Sequence, residues 1–456
     1  ENEMRPLEEM KKRVVEAAEK VGIEGFLDHA PHELSGGQKQ RVSLAGVMVD
    51  DVEIFLFDEP LANLDPASGK KTIELIDQIH KDTGATVIII EHRLEDVLYR
   101  PVDRVVLMGE GEILMDTTPD VLLSSDALIR NGIREPLYCT ALKYAGVEIK
   151  EEMHPGSMDT LILSEENKEK VRRWMENIPE DKAKDGRPIL LEAKGISFSY
   201  PNGKESLKNV DFSIRKGEMM SIVGRNGAGK STFSKVLCGF EKEKKGLVLL
   251  EGKDISSLSI KERAERIGYV MQNPNQMITK PMIRDEVSLG LRLEGKKGEE
   301  EIGKKVDKVL KICGLYPFRS WPVSALSFGQ KKRVTIADIL VMDPDIIILD
   351  EPTAGQDFRH YTEIMEFLKE LNSYGVTIIL STRDMHLMIE YSERAVVFTD
   401  GEVVASDNPS AILTDDSLLE KASLKRTSLS DLASLTGIDE TLFTRRFISY
   451  DRKVRK

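Results

Sequence analysis

GRNGAGKST, residues Gly224–Thr232, decides the reading of this chain. It fits the pattern G-x-x-x-x-G-K-[ST], follows the apolar run MMSIV and leads into the helix-like TFSKVLCGF. Strand, glycine-rich loop and helix in that order let backbone N–H groups turn inward around phosphates, while the helix N-terminus adds positive potential. Gly224, Arg225, Asn226, Gly227, Ala228 and Gly229 form the loop. Lys230 is placed to neutralise the outer phosphates and Ser231 to ligate Mg2+, and Thr232 closes the motif. A glycine-rich turn with no ligand would not need those flanks.

A second stretch supplies the chemistry. IIILDE, Ile346–Glu351, is an apolar run ending in two acids, which suits a central parallel strand buried on both faces. Open α/β sheets bind ligands at the carboxyl ends of such strands. Asp350 is placed to hold Mg2+ through water, and Glu351 to orient and deprotonate an attacking water. A strand ending in Asp-Glu can be structural by itself; joined to the phosphate loop it reads as a nucleoside-triphosphatase site.

The chain repeats itself. LSGGQKQRVSLA at Leu34 returns as LSFGQKKRVTIA at Leu326, and EIFLFDEPLANLD at Glu53 as DIIILDEPTAGQD at Asp345. Gly37 precedes Asp58 by 21 positions, as Gly329 precedes Asp350. Two motifs in register are a tandem duplication. The expected organisation is an α/β chain of two phosphate-loop domains. Residues 1–130 hold the C-terminal part of the first, 131–188 a connecting segment ending in a polar linker, 189–410 the complete second, and 411–456 a small helical tail that packs as a cap. Lys230 precedes Ser327 by 97 positions, and nothing stands that far before Ser35, so the first copy is expected to be truncated at its N-terminus. The strand ending at Asp58 is then expected to show bare edges.

The 456 residues suit two or more domains, and 40% apolar with 31% charged residues suits real cores. A net charge of -13 argues against nucleic acid as a partner. Cys139, Cys238 and Cys313 have neither metal nor redox spacing, and apolar runs such as Val87–Ile90 are too short to span a bilayer. Any membrane work must be shared with a spanning partner.

LSGGQ and LSFGQ ahead of an acidic strand resemble the ATP-binding-cassette ATPases along almost the whole chain. The resemblance implies a RecA-like core with a helical signature subdomain in each copy, ATP and Mg2+ as ligands, and ATP held between two domains. Tyr200 would stack on adenine, and Gln272 would reach Mg2+ and the water and couple them to a transmembrane partner. His92 would contact the γ-phosphate, and Asp65 and Asp357 would lie in loops joining two sites. The two halves would pair within the full-length protein. Ser35, Gly36, Gly37 and Gln38 would then face the loop ending at Lys230, and Ser327, Gly329 and Gln330 would serve the other site with Glu59.

Two departures make the sites unequal. Arg383 stands where the first copy has His92, and an arginine keeps its charge and offers no acceptor. Phe328 replaces the first glycine of the second signature. Either the swap is tolerated, with Glu351 carrying the chemistry, or the site with Glu351 and Arg383 binds ATP and turns it over slowly; the second is the sharper expectation. GIREPLYCTALKYAGV (Gly132–Val147) and DEPTAGQDFRHYTEIMEFL (Asp350–Leu368) look like the duplicated ATPases of energy-coupling-factor importers, within which the likeness is to those assigned to hydroxymethylpyrimidine or thiamine uptake. That implies a transmembrane coupling subunit, a small membrane substrate-binding subunit, and peripheral attachment at the cytoplasmic face. A soluble ribosome-acting tandem ATPase and a sugar-importer ATPase are the rival readings.

Overall fold

Five-residue apolar runs determine where the strands form. MMSIV and IIILD are buried along their lengths, apart from Asp350 at the end of the second, as strands covered on both faces must be. The structure, a computed structural model, describes residues 6–34, 36–50, 52–62, 64–179, 186–201, 203, 205–295, 298–354, 356 and 358–454. The chain divides into two compact units, residues 1–136 with 149–162, and residues 137–148 with 163–456.

The first unit contains α1 (Leu7–Lys20), α2 (Gly36–Met48), β1 (Ile54–Asp58), α3 (Pro66–Thr83), β2 (Thr86–Ile90), α4 (Leu94–Val97), β3 (Val105–Gly109), β4 (Glu112–Thr117), α5 (Pro119–Leu123) and α6 (Ala127–Arg130). β1 and β2 pair in parallel, and β3 and β4 form a hairpin whose turn places Glu110 and Gly111 at positive φ. Phe55 is buried with Ile79 and Ala85, with Phe57 and Val87 packed against them. The alternate positions Ile54, Leu56, Ile88 and Ile90 are exposed. Among the described residues β1 and β2 have no further sheet neighbour.

The second unit opens with α7 (Leu137–Tyr144) and α8 (Glu165–Glu176), followed by β5 (Ile189–Ser199), β6 (Glu205–Arg215), β7 (Met219–Val223), α9 (Lys230–Cys238), β8 (Lys245–Leu250) and β9 (Lys253–Asp254). Next come α10 (Ile260–Ala264), β10 (Ile267–Val270), α11 (Ile283–Glu294), α12 (Glu299–Ile312), α13 (Phe328–Leu340), β11 (Ile346–Asp350), α14 (Phe358–Ser373), β12 (Thr377–Ser381) and α15 (Met385–Tyr391). It closes with β13 (Arg394–Thr399), β14 (Glu402–Asp407), α16 (Pro409–Leu413), α17 (Asp416–Ala422), α18 (Ser428–Thr436) and α19 (Glu440–Val454). A six-stranded sheet in the order β10-β11-β12-β7-β13-β14 is parallel except for β14, and a second, antiparallel sheet runs β6-β5-β8-β9. The α/β class is as expected. The duplication is also structural: α2 starts at Gly36 and α13 at Phe328, β1 at Ile54 and β11 at Ile346, an offset of 292 in both.

The expected connecting segment, 131–188, is not a single linker. Residues 149–162 belong to the first unit, where Asp120 accepts from the Gly156 amide (2.7 Å) and meets His154 Nδ1 (3.1 Å). α7 and α8 instead fold with the tail helices. Tyr144 and Trp174 pack with Phe443, Phe447 and Tyr450, the Tyr144 hydroxyl donates to Asp451 (2.8 Å), and Arg172 donates to the Thr436 carbonyl (2.9 Å). The polar average of this segment conceals amphipathic helices whose Leu137, Leu142, Val171 and Met175 are buried. From the tail, Arg452 donates to the carbonyls of Ile389 (2.9 Å), Glu390 (3.1 Å) and Ser392 at the end of α15. Phe447→Ala removes a fully buried ring from this cluster and is expected to cost about 3–5 kcal/mol in denaturant unfolding followed by tryptophan fluorescence. Leu293→Ala, at a position 71% exposed, is expected to change stability by no more than about 0.5 kcal/mol.

Candidate functional site

The phosphate-type loop leaves the end of β7 and feeds α9. Gly224 has φ 139°, and a Cβ there would collide with the carbonyl oxygen of Phe398; Gly229 has φ 105°, and a Cβ would lie 2.8 Å from the Ser206 oxygen. Both positions therefore require glycine. Lys230 is only 7% exposed, and its ammonium donates to the carbonyls of Gly224 (2.6 Å) and Arg225 (3.1 Å), which hold it inside the loop. Ser231 is exposed in the first turn, Arg225 pairs with Asp400, and Gly227 has positive φ beside the exposed Asn226 and buried Ala228. The Tyr200 hydroxyl lies 3.2 Å from Thr232 Oγ1, and its ring meets Phe198 edge-on at 4.9 Å.

β11 and β12 bring the acids and the residue after them alongside. The Asp350 carboxylate accepts from the Tyr269 hydroxyl (3.0 Å); burial, and then the neighbouring Asp350 charge, push the Tyr269 phenol well up. Glu351 has φ 45°, a sparsely populated conformation for a side chain of this size, and its amide donates to the Ser381 carbonyl (2.8 Å). Its carboxylate accepts from Arg383 Nε at 2.7 Å, and the same guanidinium reaches Asn226 Oδ1 at 3.3 Å. Burial raises the Glu351 pKa, with the Arg383 charge opposing it. His386 sits in the first turn of α15, one helix start beyond Arg383.

Ser327 is the N-cap of α13. It accepts from the Gln330 amide (3.3 Å), while Gln330 Oε1 accepts from the Ser327 amide (3.0 Å). The exposed serine hydroxyl keeps its proton for an outside acceptor, and Gly329 is buried behind it. Gln272 is exposed just past β10. Its carbonyl and that of Met271 accept from Lys332 on α13, at 2.9 and 2.7 Å. Neither Lys332 nor Tyr269 had a signal in the sequence that marked it.

In the first unit, Glu59 has φ 46°, matching Glu351, and its carboxylate meets His92 Nε2 at 2.8 Å. Gly36, Gly37 and Gln38 begin α2; Ser35 and Asp357 lie outside the described residues. Asp65 caps α3, taking the Ser68 amide (2.9 Å) and hydroxyl (3.0 Å). Both of its oxygens are thus engaged locally by the helix start.

The donor set can be tested against Mg2+ on its chemistry. Ser231, Asp350 and Gln272 offer a hydroxyl, a carboxylate and an amide oxygen, the hard ligands that Mg2+ takes. Among the described residues no group of three His, Cys, Asp or Glu forms a ready-made metal site.

A glycine cradle with a buried lysine, a strand ending in Asp-Glu and a capped signature helix define a nucleotide-hydrolysing cassette. Comparison with known proteins agrees. A family model described as ABC transporter matches residues 1–62 and 207–354, and one described as ATP-binding cassette cobalt transporter matches 125–198. A protein of Clostridium perfringens, described only as an ABC transporter ATP-binding protein, is 57% identical over 456 residues, 100% of this chain and 80% of its own length. One of Enterococcus faecalis with the same description is 54% identical over 459 residues, with 100% and 80% covered. The structure of cbiO1 from Clostridium perfringens, described as part of the ABC transporter complex cbiONQ, is 36% identical, covering 51% of this chain and 94% of that one at TM-score 0.47. The chain belongs to the ABC transporter ATP-binding proteins, whose ATPase activity is coupled to transport. Gly224→Ala adds about 1–3 kcal/mol of backbone strain to a steric clash, and is expected to weaken ATP binding at least about tenfold in a fluorescent-nucleotide titration. Gly298→Ala, where a Cβ meets nothing within 4 Å, leaves binding unchanged.

Proposed function

We propose that this chain energises an importer of the energy-coupling-factor type, peripherally at the cytoplasmic face of the membrane, with a transmembrane coupling subunit and a small substrate-binding membrane subunit. The observation that carries this reading is the match of residues 125–198 to the ATP-binding-cassette cobalt transporters, over a stretch outside the general cassette motifs. Among the described residues no helix is long and apolar enough to cross a membrane, so spanning falls to partners. Cargo does not meet an ATPase subunit, and the two candidate cargo classes are a cobalt ion and a thiamine-type vitamin precursor. Calorimetric titration of the co-purified membrane partner with each decides between them. Recovery of ribosomes in place of membrane subunits would overturn the reading.

The roles follow from the side chains. Gly224 to Thr232 hold the phosphates, with the Lys230 charge already seated by two carbonyls, and Tyr200 lies beside that helix start to meet the base. Ser231, Asp350 and Gln272 hold Mg2+, which when bound offsets phosphate charge. Glu351 takes the proton of the attacking water. Ser327, Gly329 and Gln330, and Ser35 with Gly36, Gly37 and Gln38, read a γ-phosphate presented by another cassette. Glu59 and His92 form the corresponding acid and switch in the first copy.

Arg383 changes the balance in the second copy. A base must accept a proton, and Glu351 faces a permanently charged guanidinium at 2.7 Å. That pairing holds the carboxylate's proton affinity below what its burial alone would give, and the guanidinium cannot itself exchange a proton, whereas the imidazole of His92 beside Glu59 can take or give one. Arg383→His is expected to raise steady-state ATP turnover about threefold or more, roughly 0.7 kcal/mol of barrier, with nucleotide affinity unchanged. An unaltered rate would sink the proposal of a slow second site.

A further inference from the structure

Lys332 stands five residues past Ser327 on α13 and is 1% exposed. An ammonium taken out of water keeps its charge only where oxygens replace the lost hydration. Here those oxygens belong to the main chain: the carbonyls of Met271 at 2.7 Å and Gln272 at 2.9 Å, in the segment that leaves β10. Lys331, next on the helix, reaches Asn275 Oδ1 of the same segment at 3.5 Å. Burial lowers the pKa of this amine to about 8, and the Asp350 and Glu351 charges at the end of β11 oppose that shift.

The first copy differs in residue type: at the same place in the repeat it has Gln40, whose side-chain amide donates to the Pro60 carbonyl at 2.8 Å. The positions of that copy that match Met271 and Gln272 fall before residue 1. A neutral side chain there ties the signature helix to the turn after the acids. In the second copy a cation ties it to the segment carrying Gln272. A lysine buried only to fill space would be replaceable by methionine with little loss. One that supplies donors to two carbonyls would not.

We infer that Lys332 is a positioning residue that fixes the main chain at Met271–Gln272 to α13, so that Gln272 follows the signature helix when that helix moves. The functional half of this inference rests on the proposed role of Gln272; the tether itself does not. The test is hydrogen–deuterium exchange on the full chain without nucleotide, alongside steady-state ATP turnover, for wild type, Lys332→Met and Lys332→Arg. Lys332→Met is expected to speed exchange of amides in 271–278 at least tenfold while β11 and α9 stay protected. It should lower kcat at least fivefold with KM within twofold, and Lys332→Arg should restore both. Faster loop exchange with an unchanged kcat supports the tether and removes the role given to Gln272. Unchanged loop exchange overturns the tether. So does a rise spread equally over α9 and β11, because that marks a general loss of stability. If Lys332→Met does not fold, Lys332→Ala, which likewise removes every donor, is read in the same way.

Discussion

The parallel pairing of β11 with β12 and of β12 with β7 is the constraint on which the site depends. Hydrogen-bonded neighbours stand about 4.8 Å apart, so loops leaving one edge of this sheet emerge at fixed spacing. β7 releases the glycine loop, β11 the acids, and β12, between them, Arg383. A side chain from the middle strand can reach both neighbours, and Arg383 does, touching Asn226 on one side and Glu351 on the other. Moving β12 by one residue would put its outward neighbours on the opposite face and break both contacts.

The two copies share this logic and differ in the groups that execute it. Each has its glutamate in the left-handed region, φ 46° at Glu59 and 45° at Glu351, and each glutamate meets the residue after the neighbouring strand. In one copy that residue is an imidazole; in the other it is a guanidinium. The signature helices diverge likewise, through Gln40 and Lys332. The duplication has kept the backbone strain at the acid while changing the side chain that faces it.

What the sequence reveals follows from what a local pattern can encode. The glycine loop, the acids and the duplication are short, linear and strongly typed, so they are legible in the order of residues alone. Gly224 and Gly229 are legible too, as fixed positions of that loop pattern, and the structure supplies the reason: crowding against Phe398 and Ser206 leaves no room for a Cβ. Lys332 is not: its partners are carbonyls, which every residue carries, about sixty positions earlier. The helices α7 and α8 are hidden for a different reason. Their apolar stripes are short and diluted by charge, and their partners lie at the far end of the chain. The role of Asp65 as a helix cap is visible only once α3 is seen to begin at Pro66.

That long-range pairing has a consequence in time. The Tyr138 amide donates to Ser428 Oγ, 290 residues later, and the Tyr144 hydroxyl to Asp451, 307 residues later. At about 5–20 residues synthesised per second, α7 leaves the ribosome roughly 15–60 s before α18 and α19 exist. Through that interval Leu137, Cys139 and Leu142 have no native cover from those helices, although the glycine loop and the parallel sheet are already being made. The catalytic core is thus synthesised inside a clasp whose first half must wait for its second.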